Sequence, residues 1–330
     1  MRSMPGPVEP VLVAGAGALG SVVGGLLAAG GWPVTLFGRA SHLDAVRRGG
    51  LRVDGLFGDH HVRDLSCVSD AAALRGRFST VLLTVKSWDT EAMSRLVSDV
   101  LAPDGLVVSM QNGLGNLERI AGVVGDARVL GARVIFGSEV VAPGHVRVTV
   151  EAAPVLVGSP DPADEARVSA ARRWAAALDA AGIPAAPTAT LVAELWAKVF
   201  YNAALNPLGA MLGVPYGWLA ADPDARRVMD DVIDEAFAVA RAEGVPVAWP
   251  DAAAYRALFY ERLVPPTARH RSSMLQDLER GRPTEIDAIN GHVAARGAVL
   301  DVPTPVNLSL TRMIRARVRR LREPEERWTD

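Results

Sequence analysis

The side chains best suited to chemistry fall in one run, Glu194-Leu-Trp-Ala-Lys-Val-Phe-Tyr-Asn-Ala-Ala-Leu-Asn-Pro207, where Lys198, Asn202 and Asn206 follow one another at spacings of four. The absence of glycine and the apolar Leu195, Val199 and Leu205 predict a helix. Four helical residues turn about 400°, so successive side chains are displaced by only about 40°. One ammonium and two carboxamides then form a ridge about 12 Å long. Such a ridge is costly to bury unless something polar meets it. A solvated helix face is the plain alternative, and for a lone lysine it is the commoner one. Trp196, Phe200 and Tyr201 leave little of this helix suited to open water, and asparagine is a poor residue for a helix interior. The ridge therefore reads as the lining of a cleft. The Asn206–Pro207 step predicts a kink or break, because proline disfavours helical geometry in the residue before it.

A second set of residues lies near the start of the chain. Pro10-Val-Leu-Val-Ala14 is a short apolar run suited to a strand buried on both faces, and Gly15-Ala-Gly17-Ala18-Leu19-Gly20 follows at once. A helix to about Ala29 and a strand Pro33–Phe37 complete the strand–turn–helix setting of a dinucleotide-binding fingerprint. Gly15 permits the tight turn, Gly17 lets the backbone approach a pyrophosphate, and Gly20 lets helix and strand pack closely. The helix N-terminus then offers free N–H groups and a positive dipole end. Without that setting, the glycines would signify only a tight turn.

The end of the second strand selects between dinucleotides. An NAD site places Asp or Glu there for the ribose hydroxyls, whereas this chain has Gly38-Arg39-Ala40-Ser41-His42 and no carboxylate before Asp44. Arg39 can pair bidentately with a 2′-phosphate and Ser41 can add a hydrogen bond; a solvated loop arginine is the alternative. Further along, Thr80–Val85 and Leu106–Met110 read as strands. Lys86 and Asn112 follow them at the edge where open parallel sheets bind ligands.

Composition excludes several classes. A net charge of −2 offers no general electrostatic case for nucleic acid. The single cysteine, Cys67, excludes an intramolecular disulfide and fits a reducing compartment. The only close histidine pair, His60–His61, lies among Gly58, Asp59 and Arg63, and reads as a surface turn rather than a metal site. Val11 to Gly38 carries no charge, which mimics a membrane helix or a secretory signal. Its glycines and the break at Gly30-Gly31-Trp32-Pro33 favour strand, turn, buried helix and strand, hence a protein of the cytoplasm with no membrane partner.

Coarse patterning divides the chain into a flexible leader (1–9), a dinucleotide-binding domain (10–186) and a helical domain (187–330). The fold class is α/β: a Rossmann-type doubly wound sheet, then an all-helical C-terminal domain. Leu43–Gly49 reads as a short helix. Val129–Phe136, His145–Val150 and Pro154–Gly158 read as strands extending the sheet, antiparallel in part, and Ala163–Ala181 as a helix. Gly182–Thr190 is the linker candidate. Helices follow over Leu191 to about Leu212, Pro223–Glu243, Pro250–Leu263, Ser273–Arg280, Glu285–Val299 and Thr304 to about Leu321, before a charged, frayed tail from Arg322 to Asp330. In the helical half, Ser272-Ser273-Met-Leu-Gln276-Asp277 and Thr284-Glu285-Ile-Asp287-Ala-Ile-Asn290-Gly291 are polar clusters. Ser272 and Thr284 read as helix caps, and Glu285 has the alternative of a simple dipole partner.

Gly15-x-Gly17-Ala18-Leu19-Gly20, Thr84-Val-Lys86, Gln111-Asn112-Gly113, the Glu194–Pro207 run and the two polar clusters, in this order and spacing, resemble the ketopantoate reductase (2-dehydropantoate 2-reductase) family over nearly the whole chain after the leader. The resemblance implies an active site in the cleft between a Rossmann and a helical domain. It implies NADP(H) as cofactor and reduction of a small 2-oxo acid, ketopantoate, to D-pantoate for pantothenate synthesis. Carried over by position, Lys198 is the general acid, with Glu285 beside it in the catalytic set and holding substrate. Asn202, Asn206 and Ser273 hold substrate too. Lys86 and Asn112 stand at the cofactor–substrate junction, and Asn112 belongs to both sets. Gly15, Gly17, Ala18, Leu19, Gly20 and Arg39 bind cofactor. A homodimer is compatible with this reading. Reduction of another 2-oxo acid, including bulkier D-2-hydroxy acid chemistry, is the alternative within the enzyme class, and an NADPH-sensing regulator the alternative outside it.

Overall fold

The charge-free run near the N-terminus folds as strand β1 (Val11–Ala14), helix α1 (Ala18–Ala29) and strand β2 (Val34–Phe37). The structure, a computed structural model, describes residues 9–321. The expected leader, apart from Glu9, and the expected frayed tail lie outside those residues. The chain divides into two units, the first ending at Leu191 and the second beginning at Val192.

The first unit continues through α2 (Ala40–Gly49), β3 (Leu51–Gly55), β4 (His60–Val62), β5 (Ser66–Val68), β6 (Phe78–Leu83), α3 (Thr90–Ser98), β7 (Leu101–Ser109) and α4 (Asn116–Val124). It closes with β8 (Val129–Arg133), β9 (Phe136–Ala142), β10 (His145–Glu151), β11 (Val155–Gly158), α5 (Glu165–Ala180) and β12 (Ala185–Thr188). The main sheet has eight strands in the order β12-β11-β8-β7-β6-β1-β2-β5. All its neighbours run parallel except β8 and β11. From β1 the chain first builds outward through β2 and β5, then crosses to β6 on the other side. The β1–β6 junction is therefore the switch point, and the crevice outside its carboxyl ends is where such sheets take ligands.

Three expectations are corrected here. The strands of 129–158 do not all extend one sheet. β8 and β11 do, but β9 and β10 pair with β3 and β4 in a second sheet of four strands, ordered β4-β3-β10-β9. That sheet packs on the face of α1 remote from the main sheet: a Cβ added at Gly25 would lie 2.9 Å from both Leu51 Cδ2 and Val53 Cγ2. Val22 and Leu26 of α1 share one core with Val53, Val146 and Val148. Covered on both sides, α1 has no need of a polar face, which accounts for the charge-free stretch. The expected linker carries β12, an edge strand parallel to β11. His60 and His61 sit in β4 rather than in a turn, where His60 Nε2 meets Phe57 O at 2.9 Å and His61 Nε2 meets Gly49 O at 2.6 Å. No helix among the described residues is long and apolar enough to cross a membrane.

The second unit is helical: α6 (Leu191–Leu212, its first residue closing the first unit), α7 (Tyr216–Ala221), α8 (Pro223–Ala242), α9 (Ala252–Leu258), α10 (Ser273–Glu279), α11 (Asn290–Leu300) and α12 (Pro305–Arg320). α7 was not legible as a helix. The helix expected over Pro250–Leu263 is capped by Asp251, starts at Ala252 and passes into a π-turn over Phe259–Leu263. α8 packs against α7, α9, α11 and α12. Phe200 of α6 is fully buried, its ring 5.5 Å from that of Phe237 and 5.2 Å from that of Tyr255.

The break expected at Asn206–Pro207 does not occur: α6 continues through Pro207 to Leu212. Proline cannot donate to the carbonyl four residues back, here Ala203, and Asn290 Nδ2 donates to that oxygen instead at 3.0 Å. Asn290 Nδ2 also meets Asn307 Oδ1 at 3.0 Å, and Asn307 Nδ2 meets Glu235 Oε2 at 2.8 Å. Glu235 in turn accepts the Val306 and Asn307 N–H groups at the start of α12. α11 begins at Asn290 and not, as expected, at Glu285. The preceding residues form only a short 3₁₀ turn, Ile286–Ala288, and Ile289 leaves helical geometry. Replacing Asn290 with Ala should lower stability by about 2 kcal/mol, the cost of buried groups left without partners. In a Pro207→Ala background, where residue 207 supplies its own N–H, the same replacement should cost less. Urea unfolding of the four proteins of this cycle measures the difference.

Candidate active site

In the first unit the glycine turn is fixed by contacts that exclude side chains. Gly15 has φ +118°, and a Cβ there would lie 2.6 Å from Val85 N. A Cβ at Gly20 would lie 2.3 Å from Gly15 O and 2.6 Å from Thr84 Oγ1. Thr84 donates its hydroxyl to Gly15 O at 2.8 Å, so the end of β6 is bolted to the turn. Gly17 differs: the nearest atom a Cβ would meet is Gly15 O at 4.0 Å. The protein leaves that side open while closing the others. Gly17 caps α1 without a side-chain hydrogen bond, and the first turn holds no acidic residue. Ala18 and Leu19, the first two residues of α1, are half-buried. Their N–H groups belong to the first turn, which has no intrahelical partners. Open space, free donors and a positive dipole end fit the pyrophosphate of a dinucleotide.

Arg39 stands beside this turn. Gly15 and Ala16 both donate N–H to Phe37 O at 2.9 Å, and a Cβ at Gly38 would lie 2.9 Å from Ala16 Cβ. Arg39 is exposed and caps α2 without a side-chain bond. Among the described residues no carboxylate pairs with it, and Asp44, the first acidic residue after β2, pairs with Arg47. An unengaged guanidinium next to a pyrophosphate-ready turn fits a further phosphate on the same ligand.

Lys86 and Asn112, both half-buried, leave β6 and β7 on loops tied together by side chains to which the sequence assigns no role. Gln111 Nε2 donates to Val85 O at 2.9 Å and to Thr90 Oγ1 at 2.7 Å, and its Oε1 accepts from Ser109 at 3.1 Å. Asn116 Nδ2 donates to Asn112 O at 2.9 Å. Lys86 Nζ lies 5.9 Å from the centre of the Trp88 ring. The available signal was the cluster of small polar residues after each strand, but polarity alone does not say which of them binds a ligand and which holds a loop.

In the second unit, Lys198 and Asn202 are half-buried and Asn206 is buried, while Leu195, Val199 and Leu205 lie in the core. The ridge is not a freely solvated face. Asn206 Oδ1 accepts the Tyr216 hydroxyl at 2.6 Å, and Asn206 O accepts from Ser272 Oγ at 3.3 Å. Ser272 also caps α10, accepting from Leu275 N–H at 3.0 Å, as expected. This seats the start of α10, with exposed Ser273 at its first position, against α6 at Asn206. The Asn290–Ala203 bond brings the segment after Glu285 onto the same helix, and Glu285 itself is buried. Thr284 is a correction: its Oγ1 is buried without a partner among the described residues, so it caps no helix. Tyr201 is directed to Thr267 Oγ1, 2.6 Å from its hydroxyl, with its ring 6.0 Å from that of Tyr216. Among the described residues no cluster with metal-ligand character occurs.

Two family models match the chain: one described as ketopantoate reductase PanE/ApbA over residues 11–161, the other as its C-terminal part over 190–318. A 2-dehydropantoate 2-reductase of Aquifex aeolicus is 35% identical over 94% of this chain and 97% of its own length. Among solved structures, a PanE/ApbA family ketopantoate reductase from Ralstonia eutropha superposes with a TM-score of 0.85 at 36% identity, over 95% of this chain and all of that one. D-mandelate dehydrogenase, solved with NADH and anilino(oxo)acetate, reaches the same TM-score at 25% identity, over 95% of this chain and 100% of its own.

The two kinds of glycine separate experimentally. Gly20→Ala must push the turn apart and should lower stability by about 1–3 kcal/mol. Gly17→Ala should stay within about 0.5 kcal/mol of the parent yet weaken dinucleotide binding roughly tenfold, a factor worth about 1.4 kcal/mol. Thermal melts and dinucleotide titrations read the two effects, and unchanged binding by Gly17→Ala would remove this surface from the cofactor site.

Proposed function

The chain belongs to the ketopantoate reductase family, and we propose that it reduces the keto group of 2-dehydropantoate to D-pantoate with NADPH, in the cytoplasm and toward pantothenate. The observation that carries the reading is the Lys198–Asn202–Asn206 ridge on α6, half-buried to buried and joined by the start of α10 at Asn206. The Gly15–Gly20 turn and Arg39 would hold the dinucleotide, with Lys86 and Asn112 at its nicotinamide end. When bound, the nicotinamide supplies the hydride.

The chain's own residues supply the rest. As hydride reaches C2 of the oxo acid, the carbonyl electron pair moves onto oxygen. Lys198 Nζ, positively charged, offsets that developing charge and delivers a proton to the alkoxide, completing the hydroxyl. Asn202, Asn206 and Ser273 hold the acid's oxygens, and Glu285 accepts from its one hydroxyl group. One observation favours a second reading, a bulkier 2-oxo acid. Tyr201 lies on α6 between Lys198 and Asn202 in sequence, and its ring meets those of Tyr216 and Phe259 at 6.0 and 5.7 Å. Tyr216 and Phe259 are themselves buried, so Tyr201 is the one ring of the three with surface left to meet a larger apolar substituent than two methyl groups.

Turnover with NADPH across a panel of 2-oxo acids tests both readings, and no turnover with any of them would leave only a dinucleotide-binding role. Lys198→Ala should lower kcat by roughly 10²–10⁴-fold, with the protein folded and NADPH still bound. Glu285→Ala should act chiefly on KM for the oxo acid. A folded Lys198→Ala protein turning over near the parental rate would assign the proton to another group or to water. Arg39→Ala should reduce the preference for NADPH over NADH roughly tenfold to a hundredfold, the value of one charged bidentate contact, read as kcat/KM with each cofactor.

A further inference from the structure

His42 is buried at 6% exposure, and nothing in the proposed reaction employs it. Both ring nitrogens are nonetheless committed. The Gly144 N–H, in the turn between β9 and β10, donates to Nδ1 at 3.2 Å, so Nδ1 bears no proton. Nε2 therefore carries the ring's hydrogen and donates it to Ser21 Oγ at 2.9 Å. The ring is a neutral imidazole in a single tautomer, and burial, reinforced by the Arg39 guanidinium, holds its pKa below the ordinary value.

The elements joined by this ring matter for the cofactor. Ser21 directly follows Gly20 in the first turn of α1, its N–H donating to Gly17 O at 2.9 Å. His42 and Leu43 close the first turn of α2 by donating their N–H groups to Arg39 O, each at 3.1 Å. One imidazole thus links the helix turn that offers N–H groups to a pyrophosphate with the helix turn that starts at Arg39. Arg39 itself is exposed and holds no carboxylate among the described residues. Its position is therefore set through its backbone, by Gly38 packed on Ala16 before it and by the His42 anchor after it. A bidentate contact depends on such placement, because two parallel N–H donors must meet two oxygens at once.

We propose that His42 is a positioning residue for the 2′-phosphate of NADPH, fixing the N-terminus of α2, and with it Arg39 and Ser41, against the N-terminus of α1. The inference rests on the NADPH reading given above. An apolar side chain at position 42 would leave the Gly144 N–H without its acceptor and Ser21 without its donor, and would release α2 from both.

The test is direct binding, by titration calorimetry, of NADPH and NADH to the parent, His42→Ala, His42→Asn and Arg39→Ala. His42→Ala should weaken NADPH about tenfold and NADH less than about twofold, because only NADPH carries the phosphate. His42→Asn keeps an acceptor at the Nδ1 position and should recover part of the loss. Imidazole ¹⁵N shifts of the parent should report the Nε2–H tautomer. If Arg39→Ala loses the NADPH preference while folded His42→Ala keeps it, His42 does not position Arg39. If His42→Ala weakens both dinucleotides equally, its role is structural only. If Arg39→Ala itself leaves the preference unchanged, the 2′-phosphate reading fails and this inference falls with it. Should His42→Ala not fold, Ser21→Ala, which removes one contact and leaves the ring, should show an NADPH-specific loss of about threefold, and its absence counts against the proposal.

Discussion

A Cβ at Gly20 would sit 2.3 Å from Gly15 O and one at Gly15 would sit 2.6 Å from Val85 N: three backbone segments, ending β1, opening α1 and leaving β6, touch with no room for a side chain. Everything in the first unit is arranged around that contact. It fixes the start of α1 over the β1–β6 switch point, and Thr84 secures it with a hydroxyl on Gly15 O. Phe37 O, accepting from both Gly15 and Ala16, attaches the end of β2 to the same point, so the residue that follows Gly38 starts beside the turn. A helix lodged this closely against the main sheet still presents its other face, and the second sheet covers it. The price of such close packing is a segment without a single charge.

The second unit meets a different constraint. A proline one residue after Asn206 withdraws the hydrogen bond owed to Ala203 O, and an uncorrected loss of this kind breaks or kinks a helix. Asn290 supplies the missing donor, and the chain from Asn290 through Asn307 to Glu235 ties α6 to α8, α11 and the start of α12. The helix carrying the ridge is held at its C-terminal part by three other elements, with Ser272 adding the start of α10. Side chains at 198, 202 and 206 consequently project from a helix that continues through its own proline.

How much of this could be read from residues alone depended on whether the information was local. The glycine turn, the flanking strands and the lysine–carboxamide spacing are local patterns, and they fall on β1, α1, β2 and α6. A local hydrogen-bonding signal, the Ser272 cap, was legible too. Pairing partners were not. Nothing in His145–Val150 states that it joins β3 in parallel rather than the edge of the main sheet, because both placements bury alternate residues equally well. β12 was hidden by Pro184 and Pro187, which mimic a linker but are tolerated at a sheet edge, where one side needs no donors. The proline in α6 predicts, from the geometry it imposes on Asn206, a kink or break, but the helix continues through it, and the donor that replaces the missing N–H lies 87 residues beyond the carbonyl it serves. Thr84, Gln111 and Asn116 belong to the same class: short polar side chains whose roles depend on which strand lies next door.

Orphaned backbone groups are treated in two ways in this fold. Where the fold itself creates one, as at Ala203 O, a buried amide is brought to it from a distant segment. The N-termini of α5, α8 and α10 likewise receive Asp164, Asp222 and Ser272 as side-chain acceptors. α1, among the most deeply buried helices of the first unit, receives none: Gly17 caps it without a side chain, and no acidic residue enters its first turn. Beside it, Arg39 is left without a carboxylate among the described residues although Asp44 is five residues away, engaged with Arg47. Helix N–H donors and a guanidinium together beside open space at Gly17 have the electrostatics of an anion-binding surface. Two phosphate positions on one ligand, a pyrophosphate at the turn and a monoester at the arginine, complement both features at once, which is the physical basis for reading this surface as a site for NADPH rather than NADH.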